Sequence, residues 1–353
     1  MISIVGVSTL RIKMYKYTYL LILLFTLSFY SCSTDNEETI PDVSSIEVNV
    51  EVRHLEDELF ALETRDQIVK YLVENPEIEQ KYFLQARLYP TREVLVEALY
   101  DFLSKPENDT LRMDAKNVYG DFEKERKQLE DAFKYIKYYY PEFKVPKVYT
   151  SVSGFGNWGF GGDVLDFGDM IVLGIDYFTG PTATFTVPET PGYILKRYTP
   201  EYIVPFTVQI LSNRFNQVND RDRTVLAQMV AWGKAYEFVD RAMPYLPDTI
   251  KAGYSKRELY EVQYNEGYIW SHFVENELLY KSERMTVKRY VDDRPTTSEI
   301  SGDSPGRLGR WLGWQIVESY LRNNKEQDFV SLMKEKDARK ILQKSKYKPN
   351  NRK

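Results

Sequence analysis

The chain has 353 residues, 43% hydrophobic and 14% aromatic, with 28 tyrosines and a formal net charge of −5. That length and apolar share can bury a sizeable core in one large domain or two small ones. The acidic balance gives no reason to expect nucleic acid, and a single cysteine excludes a disulfide framework or a thiolate metal site.

At the N-terminus Arg11, Lys13 and Lys16 precede the apolar run Tyr19–Phe29, and Ser31 stands before the only cysteine, Cys32. The run is shorter than the ~20 apolar residues of a membrane span, so 1–31 read as a secretory signal. With the cysteine at that junction, Leu27–Cys32 resembles a bacterial lipobox, and Cys32 is expected to be lipidated. Residues 32–45, polar, acidic and Pro-containing, read as a tether. Asp35, Glu37 and Glu38 resemble a surface-export signal, although a solvated tether accounts for them equally.

Ile46, Val48, Val50 and Val52 alternate and predict a half-buried strand. His54 beside it fits a surface or capping role. Thr64–Gln67 is a capping box, and Asn75-Pro76-Glu77 marks another helix start. Val94, Leu95, Ala98, Leu99 and Phe102 line one helix. Phe122, Leu129, Phe133, Ile136 and Tyr140 line a longer one that ends at Pro141.

From Lys147 the character changes. KVYTSVS and MIVLGIDYF read as strands. The glycine-dense GFGNWGFGGDVLDFGD between them reads as a hairpin or irregular loop, since GFGNWG lacks the Lys-Ser/Thr and the helix of a phosphate loop. After a proline-rich loop come two amphipathic helices over 197–243, around which the chain is expected to pack. The first starts at Thr199-Pro200-Glu201 and repeats Ile203, Phe206, Thr207, Ile210 and Arg214. The second starts near Asp222–Thr224 and carries Val225, Met229, Trp232, Tyr236 and Val239 on one side. Gly233, which costs about 1 kcal/mol against Ala in mid-helix, predicts another backbone close by.

Ser255–Glu258 is a capping box expected to open a long helix through Tyr280. Its buried side would be Leu259, Val262, Ile269, Trp270, Phe273 and Leu278, with His272 a satisfied boundary histidine. KRYVDDRPTTSEISGD reads as loop. Ser304-Pro305 is expected to cap the next helix, whose Gly306, Gly309 and Gly313 form a close-packing face, taken as soluble because of Arg307 and Arg310. Asp337–Gln343 is the last helix.

The stretch VLAQMVAWGKAYEF resembles the helix of HExxH-type metallopeptidases in which a zinc-binding Glu precedes Gly-x-Ala. Trp232 stands at the place of that Glu, followed by Gly233-Lys234-Ala235. In this form it resembles the gliding-motility lipoprotein B (GldB) family of the Bacteroidota. LGIDYFTG (173–180), RYTPEYIV (197–204), GKAYEFVDRAMP (233–244), NEGYIWSHFVENELLY (265–280), PGRLGRWLGWQIVESY (305–320) and SKYKP (345–349) carry the same resemblance.

The resemblance implies an α+β, predominantly helical fold: a zincin-like scaffold with a small mixed sheet whose metal ligands are lost. It would occupy 46–349 as one domain, helical over 46–146 with its core over 147–349, and MIVLGIDYF would be the edge strand along the cleft. Zinc hydrolysis needs three protein ligands and a base. The chain has two histidines, His54 and His272, far apart, and Glu201 lies too early in its helix to be the base. No G-x-S-x-G occurs, and no spacing singles out a carboxylate pair.

No catalytic residue, metal or cofactor is therefore expected. The implied protein is a non-catalytic, lipid-anchored envelope protein, at the outer membrane on its periplasmic or surface face. It would hold a partner of the motility or secretion machinery. The alternatives are a binding module for peptide or cell-wall fragments and, third, an active hydrolase. The candidate cleft residues are Asp176, Tyr177, Gln209, Asn213, Trp232, Lys234 and Trp314. For Trp232 two readings stand: core, as a member of its stripe, or cleft wall, filling the place of the metal.

Overall fold

The computed structural model describes residues 40–83, 89–156 and 162–349. The signal, Cys32, most of the tether and residues 157–161 of the glycine-dense stretch lie outside the described residues.

Residues 46–52 do alternate in exposure, but the laddered strand β1 is only Val52–His54. The backbone N–H of Val50 is taken by the Glu130 carboxylate at 3.1 Å, and contact with the neighbouring strand starts at Glu51, whose carbonyl accepts from Val148 N at 3.0 Å. The helix α1 (Leu55–Phe60) follows without a break. The Thr64–Gln67 capping box opens α2 (Arg65–Glu74) with both reciprocal bonds present. Pro76 starts a short α3 (Pro76–Ile78) that runs on as a π-helical turn.

In α4 (Arg92–Leu103) the buried side is Leu95, Val96, Leu99 and Phe102, while Val94 is exposed. A helix absent from the sequence reading, α5 (Pro106–Tyr119), comes next. It buries just Leu111, Ala115 and Tyr119 among its apolar side chains, too sparse a stripe to register by period. The helix α6 (Glu123–Tyr139) buries its expected stripe, with Phe122 as N-cap in the left-handed region.

The sheet consists of β1, β2 (Lys147–Ser151), β3 (Val164–Asp166) and β4 (Met170–Gly174), in the order β1-β2-β4-β3. β1–β2 and β2–β4 pair parallel, and β3 pairs antiparallel with β4, Val164 opposite Leu173. MIVLGIDYF is therefore not the edge. Its first five residues form an interior strand, buried throughout, and Ile175–Thr179 turn away from it. The edge beside it is β3, three residues drawn from the stretch read as loop.

Beyond the sheet lie α7 (Gly192–Leu195), α8 (Pro200–Ser212) and α9 (Val225–Ala242). Thr224 caps α9 through Ala227 N, whereas the Thr199 hydroxyl, at the N-cap position of α8, is buried without a partner among the described residues. Then come α10 (Asp248–Ala252), α11 (Lys256–Tyr264), α12 (Glu266–Glu275) and α13 (Arg284–Val291). The single helix expected over 255–280 is thus broken twice, at asparagines. Asn265 and Asn276 turn their side-chain amides back onto the carbonyls of Glu261 (2.8 Å) and His272 (2.9 Å), competing with helix propagation.

KRYV closes α13 instead of opening a loop. α14 (Leu308–Asn323) has Arg307, at φ 63°, as its N-cap, while Pro305 is bridged to Thr296, so Ser304-Pro305 do not cap it. α15 (Phe329–Lys334), also unread, and α16 (Ala338–Ser345) are the last helices among the described residues.

From Asp42 onward the chain is one compact unit. Val148, Ile171 and Leu173 turn one face of the sheet onto a core with α5, α6, α8 and Phe238 and Val239 of α9. Tyr149, Met170 and Val172 turn the other face onto α1, α2 and α4. The opposite side of α9 joins α12, α13, α14 and α16 in a third core. α9 is the element shared by two cores, and a Cβ on its Gly233 would meet the Gly313 carbonyl of α14 at 2.2 Å. The close backbone expected at Gly233 is therefore α14 itself.

Candidate functional site

A cleft of about 750 Å³ opens between α8, α9, the start of β3 and the N-terminal turn of α14. Gln209 of α8 and Asn213, the C-cap residue one helical turn further on, line it together with Trp232 of α9. Two ties hold β3 against α8. Arg214 Nε donates to the Asp166 carboxylate at 2.8 Å, and the Tyr198 hydroxyl donates to Asp163 at 3.0 Å. Burial first, and then Asp163, pushes the Tyr198 hydroxyl well above the usual phenol range.

Trp232 is half-buried, and the Arg310 guanidinium lies 3.8 Å from its ring centre, a cation–π contact on one face. Arg310 belongs to a larger group. The Asp293 carboxylate, in the loop after α13, receives Arg197 at 2.6 Å and Arg307 and Arg310 at 3.4 Å each. Burial raises the Asp293 carboxyl, but Arg310, Arg197 and Arg307 together outweigh it and hold it below the usual range. Arg197 is lowered by burial first and by the Arg307 charge next. Arg307 and Arg310, read from sequence as the sign that this packing face is a soluble one, are 8% and 6% exposed. Each finds backbone carbonyls to bond: Ala252 and Gly253 for Arg307, Val291 for Arg310.

The other four candidates lie elsewhere. Asp176 is fully buried, accepting from the backbone N–H groups of Ser153 (3.0 Å) and Phe155 (2.9 Å). Burial pushes its carboxyl up to about 6 against those donors. Tyr177 lines a separate cavity of about 340 Å³ beside Thr179 and Leu195.

Lys234 points its buried ammonium at the carbonyls of Gln217 (2.7 Å) and Glu335 (2.8 Å), and burial pulls it down to about 8. It borders a different groove of about 540 Å³. Trp314 is core, edge-on to Tyr236 and Trp311.

His54 Nδ1 sits 2.9 Å from the Thr150 hydroxyl, and His272 Nε2 2.9 Å from the Tyr290 hydroxyl. Among the described residues no group of three His, Cys, Asp or Glu side chains is placed to hold a metal ion, and no helix is long and apolar enough to cross a membrane.

Arg197, Asp293, Arg310 and Asp163 of this cleft were not among the residues expected from sequence. They come from four segments with no shared period, and the one available signal, two arginines among closely spaced glycines, pointed to a packing face and not to a cleft. Comparison with known proteins gives one result. No curated protein and no solved structure matches the chain. The family model described as Gliding motility protein GldB matches residues 36–349, in agreement with the resemblance read from its motifs.

Proposed function

We propose that this chain, which belongs to the gliding motility protein GldB family, works as a lipid-anchored envelope protein that holds a partner of the motility or secretion machinery in the cleft at Trp232. The family match over residues 36–349 carries the association with gliding motility. On this reading the scaffold is zincin-like, Trp232 stands where a ligating Glu would, and the protein binds without catalysing. A cleft walled by an aromatic ring and side-chain amides favours a protein segment as its occupant. Anchoring at the outer membrane through Cys32 completes the reading.

The anchor is tested by metabolic labelling with a fatty-acid analogue. Wild type takes up label and Cys32→Ala does not; equal labelling of both would remove the anchor.

The cleft is tested by comparing Trp232→Ala with Met229→Ala. Met229 is fully buried one turn away on α9, where its loss costs ~2–5 kcal/mol. Trp232, half-buried and open to the cleft, is expected to cost less stability than Met229 and yet to lose the partner in co-purification from detergent-solubilised membranes. A folded Trp232→Ala protein that retains its partner would move the binding surface away from this cleft.

A further inference from the structure

At the corner formed by Arg197, Asp293 and Arg310 the cleft carries more positive charge than the protein neutralises. Three guanidiniums meet one carboxylate, that of Asp293. Arg307 is further satisfied by two backbone carbonyls, and Arg310 by one. Arg197 differs. Asp293 is its side chain's one hydrogen-bond partner among the described residues, and its Nε is buried without any, in a residue 8% exposed.

The other acid of the cleft, Asp163, is occupied by the Tyr198 hydroxyl and the Val164 N–H. Among the described residues no second carboxylate lies within ion-pair distance of Arg197 or Arg310. Buried cations in surplus are costly and call for an anion from outside.

The surroundings narrow the anion's chemistry. Aromatic rings lie under both guanidiniums: Phe206 is 5.9 Å from Arg197 and Trp232 is 3.8 Å from Arg310. The amides of Gln209, Asn213 and Asn216 line the same cleft, and the Asn216 side-chain carbonyl oxygen is buried without a partner among the described residues. A bare phosphate would use the guanidiniums and leave the rings and amides idle. An acid attached to an amide-bearing body uses all three.

We infer that this corner binds a carboxylate-bearing peptide ligand, its carboxylate bridging Arg197 and Arg310 and its body lying along Trp232 and the α8 amides. The carboxylate can be a chain terminus or an acidic side chain. Arg307, held by carbonyls, keeps Asp293 in place behind them. The inference rests on the reading of this cleft as a partner site.

The test is calorimetric titration of the detergent-solubilised full-length protein with four probes: acetyl-Ala-Ala-Ala with a free C-terminal carboxylate, the same peptide as its amide, acetyl-Asp-Ala-amide, and inorganic phosphate. Charge-assisted hydrogen bonds set the expected difference: at least one acid binds about tenfold or more tightly than the neutral amide and than phosphate. Which acid it is distinguishes terminus from side chain. In Arg197→Gln and Arg310→Gln that difference is lost while amide binding persists, and Arg310→Lys recovers part of it.

Acid and amide binding alike, phosphate binding as tightly as the acids, or a difference that survives in the folded Gln variants would overturn the inference. If a Gln variant fails to fold, the wild-type acid-to-amide comparison decides alone. Trp232→Ala separates the two levels. If it weakens acid and amide together where wild type does not tell them apart, the cleft stands and the carboxylate site fails. If it changes neither, or if no peptide binds, the cleft reading fails as well.

Discussion

Gly313→Ala is expected to be among the most damaging single-methyl additions this fold can receive. A Cβ there would sit 1.8 Å from the Met229 carbonyl oxygen of α9, and 2.5 Å from its carbon. The neighbour is helix backbone, so no flexible side chain can move aside. One of the two helices must shift, and α9 is shared by two cores. Overpacking a well-filled core typically costs ~1–3 kcal/mol, and a clash with backbone lies at or beyond the top of that range. The expected readout is a melting midpoint lower by roughly 10 °C. Gly302→Ala, with nothing within 4 Å of the new carbon, serves as control and should stay within about 0.5 kcal/mol of wild type. A Gly313→Ala protein that melts with the control would mean that α9 and α14 do not cross here.

Asp293→Ala should cost at least as much for an opposite reason: it removes rather than adds. The carboxylate is the shared counter-charge of Arg197, Arg307 and Arg310, whose side chains are 8–10% exposed. Breaking a buried pair by deleting one partner costs ~3–5 kcal/mol, because the surviving charge stays buried and unpaired. Here three survive. Deleting Glu261, paired with the exposed Arg257, should cost at most ~1 kcal/mol.

Acid titration gives a second signature. The Asp293 carboxyl is held below its ordinary 3.8 in the folded protein, so its contribution is present above that value and is lost as pH falls through the folded one. Urea midpoints measured from pH 5 down to pH 2 should therefore fall more steeply below 3.8 for wild type than for Asp293→Ala. Parallel curves would sink this account of the cluster.

What could be read from sequence was local chemistry. The Thr64 and Ser255 capping boxes, the Thr199-Pro200 start of α8 and the glycines of the α9–α14 crossing each depend on residues a few positions apart or on one missing side chain. The failures have two physical sources. α5 buries too few apolar residues, and β3 is three residues long, so neither sustains a period. The two asparagines that break the 255–280 stretch lie inside an otherwise continuous stripe, and a stripe does not show where a side chain will take over a backbone carbonyl.

The cleft was half legible. Trp232, Gln209 and Asn213 sit on two helices whose faces could be drawn in advance. Arg197, Asp293 and Arg310 meet through loop geometry that no spacing encodes.

The strand order has a kinetic consequence. Val52 of β1 finds its partner Val148 about 100 residues later, whereas β2, β3 and β4 all fall within 147–174. Closing a long loop costs entropy before any contact repays it, so nearby pairings nucleate first. The strand synthesised first is thus the last to join. β2, β3 and β4 can assemble on their own, while β1 waits for α1 to α6 to shorten the path between them. Until β1 docks, β2 exposes a raw edge, and that is the interval in which a nascent chain can pair with the wrong molecule.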